Sequence, residues 1–240
     1  MKRLLIPLLL SVAASAQANE AAQQLKDALA RFKNQAPIKA QLHVRGETKG
    51  DDESGPVSAQ LQVEDGPQGL RLTYPPAVLA QAAQEELAKD RDPKAVTPTV
   101  RGLRELDLAD ARDMLRAADS LQRRLARAQF KGEKAEPWQG QPARRLSFEL
   151  ENTRPNKFVK EYSGQLDVWV NEQGQPLASR ASQKISGRAY VVISFDMSNE
   201  DETVYQVSGD RLLALRRVTK GQGSGAGEKG SNNKTLTLML

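Results

Sequence analysis

The sequence lacks cysteine, and its 240 residues include a single histidine, His43. Without a thiol the chain forms no disulfide, offers no thiolate ligand or cysteine nucleophile, and has no cysteine for N-terminal lipid attachment. One histidine is too few for a multi-histidine zinc site, and nothing around His43 in the sequence forms a catalytic triad. We therefore expect no catalytic residue, no metal site, no cofactor and no enzymatic activity.

Aromatic residues are also scarce, at 5% of the chain, and the formal net charge is only +5. Few aromatics leave little surface on which bases could stack, and the charge is small for a nucleic-acid binder. No nucleic-acid partner is expected. The sequence has no apolar run of the ~20 residues that cross a bilayer as a helix, so no transmembrane segment is expected in the mature chain.

The N-terminus has the pattern of a secretory signal. Lys2 and Arg3 precede a short leucine-rich run, and the small residues Ala16 and Ala18 follow it. This order of charged, apolar and small residues predicts a cleaved signal peptide at residues 1–18, with cleavage after Ala18. The mature chain is then residues 19–240. A bacterial periplasmic location is expected, with secretion as the less favoured alternative.

Apolar periodicity predicts helices at the start and in the middle of the mature chain. Leu25, Leu29 and Phe32 follow the spacing of one helix face. A helical segment is predicted at about residues 77–130, and its best helix covers residues 108–128, with apolar side chains along one side.

Alternating apolar and polar residues predict strands before and after that segment. Residues 38–44 and 57–63 alternate clearly, a third strand ends at Pro75, and seven more candidates follow residue 138. Polar or glycine-rich stretches at 46–56, 198–201 and 221–230 are interpreted as loops or turns. The predicted fold is a single α+β domain at 19–240, with a curved, half-barrel-like antiparallel sheet and helices packed on one face.

Two kinds of local cluster lack the residue spacing that a binding site would need. The glycine-rich stretch at 221–230 lacks the Gly-Lys pair of a phosphate-binding loop. The acidic runs at 51–53 and 199–202 lack the ligand spacing of an EF-hand and are interpreted as solvated turns.

A basic stripe is predicted on helix 108–128, opposite its apolar face. It could dock on anionic head groups or an acidic partner, or it could be an ordinary solvated helix face. The stripe comprises Arg112, Arg116, Arg123 and Arg127.

The arrangement resembles a known family. The resemblance lies in the helix at 21–32 leading into the strand at 38–44, in the strand that ends in Tyr74-Pro75-Pro76, and in residues 166–176. Together with the signal peptide they resemble the lipoprotein-carrier superfamily of the LolA/LolB-like fold. That resemblance implies a half-barrel sheet wrapped around helices, with an apolar concavity that accepts acyl chains.

The leading hypothesis is a non-enzymatic periplasmic binding or carrier protein for a lipid, an acyl chain (including that of a lipoprotein) or another hydrophobic ligand. The alternative is an envelope interaction or scaffold protein with a filled core, which acts on a protein partner through the arginine stripe or through an unpaired edge strand at 234–240. The expected ligand contacts are Leu42, Val44, Leu61, Val63, Leu72, Phe148, Leu166, Val168, Ile193 and Phe195.

Overall fold

The computed structural model describes residues 10–50, 54–152, 157–189 and 193–240. Its five helices are α1 (Leu10–Ala30), α2 (Pro76–Arg91), α3 (Pro98–Arg104), α4 (Leu108–Leu115) and α5 (Ala117–Leu125). Its ten strands are β1 (Ile38–Lys49), β2 (Gly55–Gly66), β3 (Gly69–Thr73), β4 (Ala128–Ala135), β5 (Arg144–Leu150), β6 (Val159–Val170), β7 (Pro176–Ala189), β8 (Ile193–Ser208), β9 (Arg211–Gly225) and β10 (Glu228–Met239).

All ten strands form one antiparallel sheet in the order β3-β2-β1-β10-β9-β8-β7-β6-β5-β4. The sheet is curved and does not close on itself, so β3 and β4 are its two edges among the described strands. The four helices α2 to α5 connect one edge to the other. This confirms the predicted α+β class, with a curved antiparallel sheet and helices on one face.

The core lies between the helices and one face of the sheet, which we call the inner face. Leu25 and Leu29 of α1, Met114 and Leu115 of α4 and Leu121 of α5 are at most 1% exposed. Leu25 and Leu29 are four residues apart and therefore lie on one side of α1. Full burial of such a side chain contributes about 1.5–3 kcal/mol, so these contacts fix the helices on the sheet. On the sheet they meet alternate strand residues: Leu42, Val44, Leu61, Val63, Leu146, Phe148, Leu166, Val168, Leu236 and Leu238.

The short helix α3 lies directly against β2. A Cβ at Gly102 would lie only 2.6 Å from both the Cβ and the backbone nitrogen of Ala59, so this close approach requires glycine. Glu85 of α2 holds the start of α3, since its Oε2 accepts hydrogen bonds from the backbone N–H groups of Thr99 (2.8 Å) and Val100 (3.1 Å). A carboxylate here satisfies N–H groups that have no partner within the helix.

The prediction of one helix over 108–128 is wrong in detail. Arg116 interrupts it with φ −125° and ψ 54°, which separates α4 from α5. The helical segment also ends earlier than predicted, at Leu125, and Ala128 already begins β4. The cause of the break is tertiary, because Arg116 turns its side chain to Asp65 of β2, where Nε and Nη2 donate hydrogen bonds of 2.8 and 2.6 Å.

Three segments predicted as loops or turns belong largely to strands. β1 continues to Lys49, and β8 runs straight through residues 198–201. In the glycine-rich stretch, β9 and β10 extend to a turn centred on Ala226 (φ 55°) and Gly227 (φ 91°). Pairing on both sides of each strand overrides the turn preference of the polar residues. The acidic run at 51–53 lies outside the described residues.

The prediction of an unpaired edge strand at 234–240 is also wrong. β10 pairs with β1 on one side and with β9 on the other, and it therefore lies inside the sheet. In the alternative hypothesis of a scaffold protein, this strand is therefore not available for pairing with a partner. Across the described ranges, no helix has both the length and the apolar character needed to span a bilayer.

Candidate functional site

The strands β7 to β10 and β1 extend beyond the helices, and their inner-face residues form successive rows across the sheet. The register defines a charged row of Ala181, Asp201, Thr219, Lys234 and Gly46. Next comes an amide row of Gln183, Asn199, Gly221, Asn232 and Thr48. Further from the helices again is an apolar row of Ile185, Met197, Gly223 and Gly230. The inner face therefore changes from charged to polar to apolar with distance from the core.

The amide and apolar rows line a cavity of about 480 Å³, which we call the glycine groove. Met197 stands at this groove and is 54% exposed, which is unusual for a large apolar side chain on an inner sheet face. The glycines of β9 alternate with polar residues, so Gly221, Gly223 and Gly225 all present bare backbone to the inner face. The floor of the groove is consequently open.

The glycines of the floor differ in whether a larger side chain would fit in their place. A Cβ at Gly221 would collide with the side-chain oxygen of Asn232, which would have to rotate away. A Cβ at Gly223 would meet Met197 Cγ at 3.6 Å and Asp196 O at 3.7 Å, which are ordinary contacts. A side chain can therefore be added at Gly223, where it would project into the groove.

A second cavity, of about 530 Å³, lies where α4 and α5 meet the inner face, and we call it the arginine cavity. Its basic residues are Arg112, Arg123, Arg124 and Arg127, and its acidic residues are Asp113, Glu151 and Asp201. Gln183 and Asn199 line both this cavity and the glycine groove. The two spaces thus adjoin at the amide row.

Two of the three acids are already paired within the cavity. Arg124 Nη2 donates to Asp201 Oδ2 at 2.7 Å, and Arg123 Nη2 donates to Asp113 Oδ1 at 2.7 Å. Burial raises the pKa of Asp201, but the charges of Arg124 and Arg217 outweigh it and leave the pKa below its ordinary value. Asp201 is therefore ionised at neutral pH and fixes the Arg124 side chain.

Arg217 lies behind the arginine cavity on β9 and is only 9% exposed. Its contacts with Asp110, Asp113 and Asp201 are long, at 3.9, 3.8 and 3.9 Å. Its Nε is buried and has no hydrogen-bond partner among the described residues. Burial raises the pKa of Asp110 despite the neighbouring Lys234 and Arg217. Arg217 therefore lies among three carboxylates, with none of them at hydrogen-bond distance.

The ten residues expected to contact a ligand fall into two groups. Leu42, Val44, Leu61, Val63, Leu72, Phe148, Leu166 and Val168 belong to the core or pack against it beneath the helices. Ile193 and Phe195 lie instead on the inner face of β8, four and two residues before Met197, and are partly exposed. Ligand contact by either group stays a prediction.

The predicted arginine stripe is divided by the helix break. Arg116 leaves it to pair with Asp65, whereas Arg112, Arg123 and Arg127 join Arg124 around the arginine cavity. Arg124 and Met197 were not predicted as site residues. The floor glycines were not predicted either, although their period of two along β9 was a signal for a common sheet face.

His43 lies on the outer face beside Gln41, whose side-chain oxygen is 3.4 Å away. Burial, followed by the charge of Arg45, lowers its pKa. Within the part of the chain that the structure describes, no three histidine or carboxylate side chains are grouped so that they could hold a metal ion.

The fold defines a class, that of α+β proteins with an open, curved antiparallel sheet and helices on its inner face. No family model matches the chain, and no curated protein matches it. Among solved structures, the chain is similar to the LolA superfamily protein NE2245 from Nitrosomonas europaea. The two are 13% identical, the match covers 93% of each chain, and the TM-score is 0.36. The resemblance to the LolA superfamily is thus distant and concerns the architecture.

Proposed function

We propose that this protein is a non-enzymatic periplasmic carrier or binding protein, and that it holds a lipid, an acyl chain or another hydrophobic ligand in the glycine groove. The observation that carries this proposal is the half-exposed Met197, which stands beside Ile185 over a floor of bare glycine backbone. A large apolar side chain exposed in a concave space gains stability when a ligand removes it from water.

The size and lining of the groove support the proposal. Ligand pockets typically measure about 300–1,000 Å³ and are lined mainly by apolar groups with a few polar ones. The glycine groove, at about 480 Å³, lies in this range, and its walls combine Ile185 and Met197 with the amides of Gln183, Asn199 and Asn232. Each Å² of apolar surface that a ligand removes from water in this groove would stabilise the complex by roughly 25 cal/mol.

Ile193 and Phe195 extend this apolar surface along β8 toward the tip of the sheet. They share the inner face with Met197 because alternate residues of a strand point the same way. The eight predicted residues in the core pack against the helices and hold them at the other end of the strands. The inner face around Met197 therefore stays uncovered. In this proposal the direct contacts come from Ile193, Phe195, Met197 and Ile185.

The periplasmic part of the proposal rests on the signal pattern of residues 1–18. An exported protein with an apolar groove could shield a lipid tail from water between membranes. The absence of a recognisable nucleophile and base in the sequence supports binding rather than catalysis.

The test fills the groove and leaves the rest of the sheet intact. Gly223→Leu adds a side chain to the floor, where the first added carbon makes only ordinary contacts. Ser224→Leu is the matched control, because it adds leucine to the same strand on the opposite face, at a residue that does not line the groove. Binding of dansyl-undecanoate is measured by fluorescence, and native mass spectrometry shows which lipids copurify from a periplasmic extract.

We expect wild type and Ser224→Leu to bind the probe and Gly223→Leu to lose at least about tenfold in affinity, since leucine occupies the ligand's space. Copurified masses of lipid size would identify the cargo class. If native mass spectrometry shows only the ligand-free protein and wild type does not bind the probe, the carrier proposal is overturned and the scaffold alternative is favoured.

A further inference from the structure

We infer that the arginine cavity binds the anionic head group, a phosphate or a carboxylate, of an amphiphile whose apolar part lies in the glycine groove. This inference rests on the proposed function and specifies its ligand class. It requires three things from the structure: positive charge without a full internal partner, access to that charge, and a continuous path to the apolar row.

The arginine cavity has uncompensated positive charge. Asp113 and Asp201 are held by Arg123 and Arg124, which leaves Arg112 and Arg127 against Glu151 as the remaining charged residues of the lining. The nearest carboxylate oxygen to Arg112 is Asp113 Oδ1, at 3.8 Å from Nε. Within the described ranges Arg127 forms no ion pair. An arriving anion would therefore find guanidinium donors that are not already engaged.

Arg217 strengthens this positive field from behind. Its three acidic neighbours are all at least 3.8 Å away, and its buried Nε has no hydrogen-bond partner among the described residues. Because Arg217 attracts Asp113 and Asp201, the acids that pair with Arg123 and Arg124, it leaves those two cavity arginines less fully neutralised.

The same arginines are accessible. Arg112 and Arg123 have side chains that are 50% and 52% exposed, and Arg127 is also exposed. Arg112 lies on α4, Arg123 on α5 and Arg127 between α5 and β4, and all three line the cavity. An anionic group held by two guanidinium groups forms charge-assisted hydrogen bonds, which are stronger than neutral ones.

The rows of the inner face set the orientation of the ligand. Asp201 in the charged row and Met197 in the apolar row are four residues apart on β8, which corresponds to about 13 Å along a strand. Gln183 and Asn199 lie between them and line both cavities. A head group at Arg112 and Arg127 thus places an attached alkyl chain over Gly223 and Met197, with its end toward Phe195.

The experiment compares two probes with the same tail, dodecyl phosphate and the uncharged dodecyl maltoside, each below its micelle concentration, by isothermal titration calorimetry. Arg112→Gln/Arg127→Gln removes the free cations. The control Arg216→Gln removes an exposed arginine from the outer face of β9. Inorganic phosphate is titrated alone as a third ligand, and Gly223→Leu is included.

We expect wild type and Arg216→Gln to bind dodecyl phosphate at least about tenfold more tightly than dodecyl maltoside, with a preference that weakens at high salt. Arg112→Gln/Arg127→Gln should lose this preference and keep its affinity for the maltoside. Gly223→Leu should weaken both probes.

Three other outcomes would overturn the inference. Equal binding of both probes, unaffected by the arginine substitutions, would reject the head-group site and leave the apolar groove standing. Inorganic phosphate binding as tightly as dodecyl phosphate would assign the cavity to free phosphate. Absence of binding by both probes would contradict the proposed function itself.

Discussion

Asp65 and Arg211 form an ion pair with 2.7 Å between Oδ2 and Nη1, although their side chains are only 0% and 1% exposed. Arg116 binds the same carboxylate through two nitrogens. Arg211 also donates to the backbone oxygens of Ala36 (2.8 Å) and Asn34 (2.9 Å). One buried carboxylate thus joins the end of β2, the start of β9, the break between α4 and α5, and the connection from α1 to β1.

Asp65→Asn should destabilise the protein by about 3–5 kcal/mol, because it leaves two guanidinium groups without a countercharge, one of them fully buried. The free energy of unfolding is measured by urea titration with circular dichroism. Glu64→Gln is the control, since the partner of Glu64, Lys39, is 80% exposed and the pair contributes little. Equal shifts of the two midpoints would contradict the assignment of Asp65 as a structural centre.

The same carboxylate should make stability depend on acid pH. Burial raises the pKa of Asp65, but the hydrogen bonds and charges of Arg116 and Arg211 outweigh it, and the pKa lies below its ordinary value. The stabilisation is therefore complete above the unfolded pKa of about 3.9 and is lost as pH falls from there through the folded pKa. The stability difference between wild type and Asp65→Asn should shrink as the pH falls from about 5 to about 2, because the unfolded chain binds the proton on Asp65 more tightly than the folded protein does. A difference that stays constant over that range would refute this account.

Gly102→Ala should destabilise the protein even though alanine favours helices by about 1 kcal/mol over glycine. The new methyl group would overlap Ala59 and the backbone of Ser58, and overpacking of this kind costs about 1–3 kcal/mol. Thermal unfolding followed by circular dichroism tests this. Gly223→Ala serves as the comparison because its methyl group has room. A melting temperature for Gly102→Ala at or above that of wild type would show that α3 can move away from β2.

Export should remove residues 1–18 and leave Asn19 as the first residue. The intact mass of the protein from a periplasmic fraction measures this directly. Ala18→Tyr should block cleavage at this bond, because a small residue is needed there. A wild-type mass that begins at Gln17 would place cleavage after Ala16, and an uncleaved chain would reject the signal peptide.

Much of the fold could be predicted from local pattern. The alternation in β1 and β2 identified both the strands and their inner faces, because a half-buried strand must bury every second residue. The break at Arg116 could not be predicted, since it depends on Asp65, which is distant in the sequence. Ser198 and Asn199 favour turns locally, yet ladders with β7 and β9 hold them in a strand.

The groove could be predicted less well than the core. Leu42 and Phe195 occupy similar alternating patterns, but the helices cover the first and leave the second partly exposed. That difference depends on where the helices end along the strands, which apolar periodicity does not encode. The row of Ile185, Met197 and Gly223 exists only once the register between β7, β8 and β9 is known.

The ladder between β1 and β10 has a consequence for the rate of folding. It runs from Gln41 opposite Met239 to Lys49 opposite Ser231 and pairs strands from opposite ends of the chain, whereas every other ladder joins strands that follow each other in sequence. Until it forms, the sheet exists as two separate ribbons with open edges. Contacts so distant in sequence form slowly because the loop they close is long. The assembly of these two ribbons should therefore limit the rate of folding. Until they join, their unpaired edge strands expose the chain to aggregation, and a chaperone would protect it at those edges.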